Sequence, residues 1–329
     1  MAVLETYWYR RSPLHLILIP ISWLFGALAA LRRALYRYHI LKTYHLDVPV
    51  IIVGNISVGG TGKTPLTLAI AQALVEHGHH PIIVSRGFGG DALQQEVSNN
   101  STAQQVGDEP LLMARRAICP VWVGPDRVAA SLAALKAHPL SDVVLCDDGL
   151  QHYRLQRDFE IVVIDGARRF GNGHLLPAGP LREPATRLNN VDAVVINDGD
   201  ILNNQYLMRL SGDIFYNLNN PKKTAKPADF QKLRLHAVAG IGHPQRFFDH
   251  LKSLKLEVIP HQFPDNHPYS ANDLNFNDCD ALLLTEKDAV KCAPFADDKY
   301  WVLRVDALID SALIEHLLRK IALHGRKTA

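Results

Sequence analysis

Between an apolar run and a helical stripe the chain reads Gly54-Asn55-Ile56-Ser57-Val58-Gly59-Gly60-Thr61-Gly62-Lys63-Thr64-Pro65, a spacing suited to chemistry on phosphate. Glycines let successive backbone N–H groups curl around a β-phosphate, a lysine reaches the β and γ oxygens, and a Ser or Thr hydroxyl serves Mg²⁺. Lys63 and Thr64 fit the last two roles, and Ser57, Val58, Gly59, Gly60, Thr61 and Gly62 form the cradle for a nucleotide such as ATP. The strict pattern asks for glycine at position 57, where this chain has Ser57. The rival reading is a glycine-rich turn followed by an incidental Lys-Thr.

Such a loop needs a carboxylate at the end of a neighbouring apolar strand to hold Mg²⁺. Val143-Val144-Leu145-Cys146-Asp147-Asp148-Gly149 offers two, and either aspartate could take the ion directly or through water. Gly107-Asp108-Glu109-Pro110 is less specific. Asp108 reads either as a cap for a helix beginning near Pro110 or as a general base. The stretch Leu176 to Pro184, stiffened by proline and glycine, carries Arg182 and Glu183 and suits a phosphate and metal clamp or a rigid turn. Arg86, Arg127, Arg168 and Arg169 are candidate anion contacts, with a solvated surface as the alternative for each.

The elements that must position these groups follow from periodicity. Val48 to Val53 predicts a buried strand and Pro65 to His77 a helix, with Leu66, Ala69, Ile70, Ala73 and Leu74 along one stripe. Further buried strands are expected at 81–85, 120–123, 142–146, 160–164 and 192–196. This alternation predicts an α/β fold, a P-loop NTPase-like parallel sheet covered on both faces. Residues 214–218 and 233–238 flank the polar stretch 219–224, read as the join to a second, smaller α/β domain containing strands at 281–285 and 300–304.

Charge is spread unevenly. From Met1 to Leu46 there are six Arg or Lys (Arg10, Arg11, Arg32, Arg33, Arg37, Lys42) against one acid, Glu5. Between the arginine pairs lie about 18 apolar-rich residues, close to the span of a bilayer. Prolines, a histidine and the aromatics Tyr7, Trp8, Tyr9, Tyr36 and Tyr38 favour a helix lying in the membrane interface. A signal peptide and an ordinary packed helix are the rivals. The expected division is therefore a basic hydrophobic N-terminal segment (1–46), a P-loop core (47–218) and the smaller unit (219–329). A formal net charge of +2 argues against a nucleic-acid partner. Four scattered cysteines form no CxxC pair, which fits a reducing compartment.

The ordered blocks Gly59 to Pro65, Ser85-Arg86-Gly87-Phe88-Gly89, Gly107 to Pro110, Asp147-Asp148-Gly149-Leu150-Gln151-His152, Leu176 to Pro184, Gly240-Ile241-Gly242-His243-Pro244 and Thr285-Glu286-Lys287-Asp288 resemble the signature of the tetraacyldisaccharide 4'-kinase family over nearly the whole chain. The resemblance implies a kinase at the cytoplasmic face of the inner membrane of a Gram-negative cell. It would move the γ-phosphate of ATP, with Mg²⁺, to the 4'-hydroxyl of a tetraacyldisaccharide 1-phosphate, and need no obligate protein partner. It further implies Asp108 as the base, supported by a histidine of the second unit. Thr64, Asp147, Asp148 and Glu183 would serve the metal, and Gln151 and Arg182 the nucleotide. A membrane-docked regulatory P-loop ATPase without a lipid acceptor is the competing reading.

The family's usual Phe-x-Asp-His appears here as Phe263-Pro264-Asp265-Asn266-His267, with Asn266 where the histidine stands, so His267 is expected to serve after a small loop shift. Phe88 replaces the family's tyrosine, which keeps the ring and loses the hydroxyl. The polar join further predicts that the second unit closes over the P-loop, bringing the His267 loop to Asp108.

Overall fold

The computed structural model describes residues 8–9, 14–91, 93–98 and 100–327. The expected membrane flanks Tyr7, Arg10 and Arg11 lie outside them. Helix α1 (Leu14–Arg37) precedes a run of alternating strands and helices. These are β1 (Val50–Gly54), α2 (Lys63–Glu76), β2 (Pro81–Ser85), β3 (Gln95–Glu96), α3 (Ala103–Val106), α4 (Asp108–Arg115), β4 (Val121–Val123), α5 (Arg127–Ala137), β5 (Val143–Asp147), β6 (Phe159–Asp165), β7 (Ala193–Asn197) and β8 (Tyr206–Asn217). The remainder holds β9 (Thr224–Ala225), β10 (Leu235–Ala239), α6 (Pro244–Ser253), β11 (Val258–Gln262), β12 (Ala281–Thr285), α7 (Glu286–Cys292), β13 (Tyr300–Ile309) and α8 (Ser311–Lys327).

One continuous sheet links all the strands, in the order β11-β10-β12-β13-β8-β7-β6-β1-β5-β2-β4-β3, with β9 beside β8. Strands β1, β2 and β4 to β8 pair in parallel with one another, and so do β10 to β13. The two parallel blocks meet at one antiparallel seam, β8 against β13, from Met208 opposite Ile309 to Asn217 opposite Trp301. The register slips between Arg304 and Asp306, where Gly212 lies so close that an added Cβ would stand 2.0 Å from the Arg304 carbonyl oxygen. Glycine is required at that bulge.

The central strands read as continuous apolar runs because helices cover both faces. Every residue of β1, β2, β5, β6 and β7 is buried. On one face Leu66, Ile70 and Leu74 of α2 are fully buried beside Ile51, Val53 and Leu145, each contributing about 1.5–3 kcal/mol of apolar burial. Leu313, Ile314, Leu317 and Ile321 of α8 join that same cluster. The chain thus ends by packing on the block with which it began. At the opposite edge, Pro260 sits in β11, which among the described residues pairs only with β10. An edge strand tolerates the missing N–H donor.

Helix α1 stands apart from this packing. Leu16–Arg37 is long and apolar enough to cross a membrane, with a mean hydropathy of 1.6 and 6% of its most apolar window buried. Leu16, Ile17, Ile21, Trp23, Leu24, Leu28 and Leu31 are all exposed. One contact line is tied down. The Ser22 hydroxyl donates to the Leu175 carbonyl (2.9 Å) and accepts from the Ala178 N–H (3.0 Å). Gly26 lets the Leu175 side chain approach, since an added Cβ would meet Leu175 Cδ1 at 2.6 Å.

Candidate functional site

The loop after β1 lies at the carboxyl ends of the parallel strands, where open α/β sheets bind ligands. Gly59 and Gly62 adopt φ of +103° and +93°, a region glycine enters without cost. At Gly62 an added Cβ would also stand 2.5 Å from Asn197 Nδ2, and that amide donates to the Thr61 carbonyl at 3.0 Å. No side chain caps α2, so its first-turn N–H groups remain directed at a ligand.

The clamp is built by the segment from Leu175 to Glu183. Val58 N–H donates to the Pro180 carbonyl at 2.8 Å, and Arg182 N–H to the Ile56 carbonyl at 2.7 Å, while Ser57 and Leu181 form an antiparallel bridge. Gln151 donates to the Asn55 carbonyl (3.1 Å) and to Glu183 Oε1 (2.8 Å). The phosphate loop and the Pro-Gly loop therefore form one hydrogen-bonded unit, and Gln151 fastens it.

Opposite the loop, Asp147 ends β5 and Asp148 follows it. Lys63 Nζ lies 3.6 Å and Arg182 Nη1 3.5 Å from Asp148 Oδ1. Burial alone would raise the Asp148 carboxyl, but Lys63, Arg182 and Arg127 outweigh it and hold it below its ordinary value. Asp147 is fully buried. Its Oδ1 accepts from Thr67 Oγ1 at 3.0 Å, while its Oδ2 is buried with no hydrogen-bond partner. Burial, reinforced by Glu109, pushes this carboxyl up to about 7. The orphaned oxygen, Asp148 and the buried Thr64 hydroxyl make an all-oxygen donor set of the kind Mg²⁺ takes. Among the described residues no three His, Cys, Asp or Glu side chains converge on a metal position. Mg²⁺ is ordinarily held by one or two carboxylates together with phosphate oxygens and water.

Glu183 does not join that set. Its Oε1 accepts from Gln151 and its Oε2 from the Tyr153 hydroxyl at 2.7 Å. Arg187 Nε lies 3.3 Å away and Arg33 Nη1 of α1 3.7 Å away. Both oxygens accept from side chains, which makes Glu183 the buried knot of the clamp.

Asp108 is the first residue of α4, and the N-cap is Gly107 at φ +87° with no side-chain cap. Asp108 is therefore not the N-cap residue that the helix-cap reading expects. Its partner is Lys291 of α7, with Nζ 3.4 Å from Asp108 Oδ2. Glu109 pairs with Lys287 at 3.1 Å. Burial would raise the Glu109 carboxyl, but Lys287 and Lys63 overcome it and hold it down.

The expected Asp108–His267 pairing is not formed. His267 Nε2 lies 3.5 Å from Asp273 Oδ2, and its ring packs on Phe263 and Tyr269 at centroid distances of 4.7 and 5.0 Å. Asn266 takes φ +61°, a conformation asparagine tolerates well, and donates its N–H to the Gly240 carbonyl at 3.0 Å. Asp265 reaches the site side instead, 3.9 Å from Lys287.

Three further contacts tie the second block to the first. Gly242 is so close to it that an added Cβ would stand 3.0 Å from the Gly60 nitrogen. Arg168 donates to the Gly242 carbonyl at 2.6 Å, and Arg246 pairs with Asp165 at 2.9 Å. Of the four candidate arginines, Arg127 is buried and donates to the Gly124 carbonyl, and Arg169 binds the Asp200 carbonyl. Sequence reasoning gave no role to Lys287, Lys291 or Asn197. The first two had a signal, lysines four apart beginning inside the Thr285 to Asp288 block.

A family model described as tetraacyldisaccharide-1-P 4'-kinase (LpxK) matches residues 14–322. The tetraacyldisaccharide 4'-kinase of Methylobacillus flagellatus is 48% identical over 319 residues, covering 97% of this chain and 95% of the relative. That of Azoarcus sp. (strain BH72) is 49% identical over 337 residues, covering 100% and 98%. The crystal structure of the "apo" form of LpxK from Aquifex aeolicus in complex with ATP is similar with a TM-score of 0.80 at 28% identity, covering 94% of this chain and 99% of that one.

Proposed function

The chain belongs to the tetraacyldisaccharide 4'-kinase family, and from that premise we propose that it transfers the γ-phosphate of ATP to the 4'-hydroxyl of a tetraacyldisaccharide 1-phosphate. The observation that carries the reading is the pairing of Lys63 with Asp148 beside the buried Thr64 and Asp147; Asp108 of α4, which pairs with Lys291, is the residue we assign as the base.

In this mechanism the loop from Ser57 to Thr64 binds the triphosphate through backbone N–H groups and the open end of α2. Lys63 and Arg182 neutralise the charge that spreads over the transferring phosphoryl group, and such electrostatic stabilisation is the main source of rate in phosphoryl transfer. Mg²⁺, when bound, would be held by Thr64, Asp147 and Asp148 and would supply further charge neutralisation on the phosphates. Asp108 accepts the proton of the sugar hydroxyl as the acceptor oxygen bonds to the γ-phosphorus and the bond to the β-phosphate oxygen breaks. Gln151 and Glu183 keep the clamp in register. His267 acts through the loop's packing on Asp273 and Tyr269 rather than on Asp108.

An acylated acceptor requires access to lipid. The exposed apolar face of α1 supports attachment to the cytoplasmic face of the inner membrane. The tie from Ser22 to Leu175 and Ala178 would keep the clamp beside that surface. The block of β10 to β13 with α6 and α7 would serve as the facing wall, with Gly242 against Gly60 of the loop and Lys287 on Glu109, whereas α8 packs back on the first block. The test is transfer from labelled ATP to the lipid acceptor, with Asp108→Ala losing turnover and keeping ATP affinity.

A further inference from the structure

We propose that Lys291 is a positioning residue for Asp108, delivered to it by α7 from the other parallel block; the proposal rests on reading Asp108 as the proton acceptor. Lys291 Nζ is 3.4 Å from Asp108 Oδ2 and 3.8 Å from Asp288 Oδ1. The side chain is only 10% exposed, and its ammonium has no hydrogen-bond partner. A lysine is seldom buried this far without paired charge. Here the charge it meets is the carboxylate that the reaction needs.

The arrangement is over-determined at α7 and under-determined at Asp108. Asp288 of α7, fully buried, accepts from the Gly240 N–H and the Tyr269 hydroxyl, both at 3.1 Å. Glu286 accepts from Arg116 (2.7 Å) and from the Val305 N–H (3.1 Å). Lys287, one turn before Lys291 and so on the same helix face, pairs with Glu109. The lysine stem therefore rises from a fixed platform. Asp108, by contrast, spends no side-chain bond on capping its own helix, and the expected histidine is turned to Asp273. The ammonium orients the base and keeps its oxygen aimed into the cleft.

The experiment compares Lys291→Met, Lys291→Gln, Lys291→Arg, Asp108→Ala and the double variant Asp108→Ala/Lys291→Met in the full-length enzyme. It reads kcat, the KM for ATP and thermal midpoint. Loss of orientation by a misplaced group costs about 10- to 100-fold in rate. That drop is expected in kcat for Lys291→Met and Lys291→Gln, with the ATP KM within about twofold. Lys291→Arg should restore most of it, and the double variant should be no slower than Asp108→Ala. Wild-type kcat in Lys291→Met beside a crippled Asp108→Ala overturns this proposal alone, as does a double variant whose losses multiply. A loss in all three Lys291 variants that follows thermal midpoint, Arg included, overturns it in favour of a purely structural pair. Full turnover in Asp108→Ala overturns the base reading, and this proposal with it.

Discussion

Arg33 Nη1, from the exposed N-terminal helix, lies 3.7 Å from Glu183 Oε2, the buried carboxylate that also holds Gln151 and Tyr153. The exposed apolar helix α1 and the Pro-Gly loop beside the glycine-rich loop therefore share one charged group. The two contributions to that knot differ in size. Arg33 is 39% exposed, and such pairs are worth about 0–1 kcal/mol. Arg187 and Glu183 are nearly buried, and breaking a buried pair by removing one partner costs about 3–5 kcal/mol.

Glu183→Ala should accordingly lower unfolding free energy by about 3 kcal/mol or more, while Arg33→Ala should change it by less than about 1 kcal/mol. Urea titration of both variants checks this. Equal effects would mean that α1, not Arg187, anchors the knot.

Gly62→Ala should be damaging twice over. Its φ of +93° and the 2.5 Å approach to Asn197 Nδ2 both reject a Cβ, at about 1–3 kcal/mol for the backbone conformation alone. ATP binding should fall with stability. A variant with full ATP affinity by calorimetry would show that the loop adopts another conformation.

Asp147 links metal binding to pH. Its carboxyl is raised to about 7 by burial and by Glu109, so below that pH the folded protein holds it protonated and a metal must displace the proton. Mg²⁺ affinity should rise as pH increases through about 7 and level off above it. The same elevation means that, without metal, folding stability is fullest below the ordinary carboxylate pKa of 3.8. It declines as pH rises from there to about 7. Calorimetric Mg²⁺ titrations with ATP from pH 6 to 8.5 read the first effect, and Asp147→Asn should abolish it. A flat profile in the native protein would remove Asp147 from the metal set.

Asp108→Ala should lose about 10²- to 10⁴-fold in kcat, the usual contribution of a positioned acid or base, and leave the ATP KM nearly unchanged. Mainly weakened ATP binding would assign Asp108 to the nucleotide or metal instead.

The parallel sheet was legible because β1, β2, β5, β6 and β7 are buried on both faces and so carry unbroken apolar runs. Strand β8 was visible only at its end near Ile214 to Asn217, because in its first half only Met208 is buried and the polar Arg209 and Ser211 are exposed, leaving no buried apolar run. Strand β11 was hidden by Pro260, which only its edge position permits. In the site, local motifs gave Lys63, Thr64, Asp147 and Asp148, whose roles depend on a few neighbouring residues. The Lys291–Asp108 pair spans the two parallel blocks, and no local pattern announces which lysine of α7 will meet which acid of α4. The placement of His267 was hidden for a related reason. Tyr269, Phe263 and Asp273 fix that ring, and all are contacts that only the folded loop brings together.

The most direct test of the account is transfer of label from γ-labelled ATP to tetraacyldisaccharide 1-phosphate in detergent micelles, comparing the intact protein with Lys63→Ala. Labelled lipid that forms with the native chain and disappears with Lys63→Ala is the predicted result. ATP hydrolysis without labelled lipid would contradict the account and favour a membrane-docked regulatory ATPase.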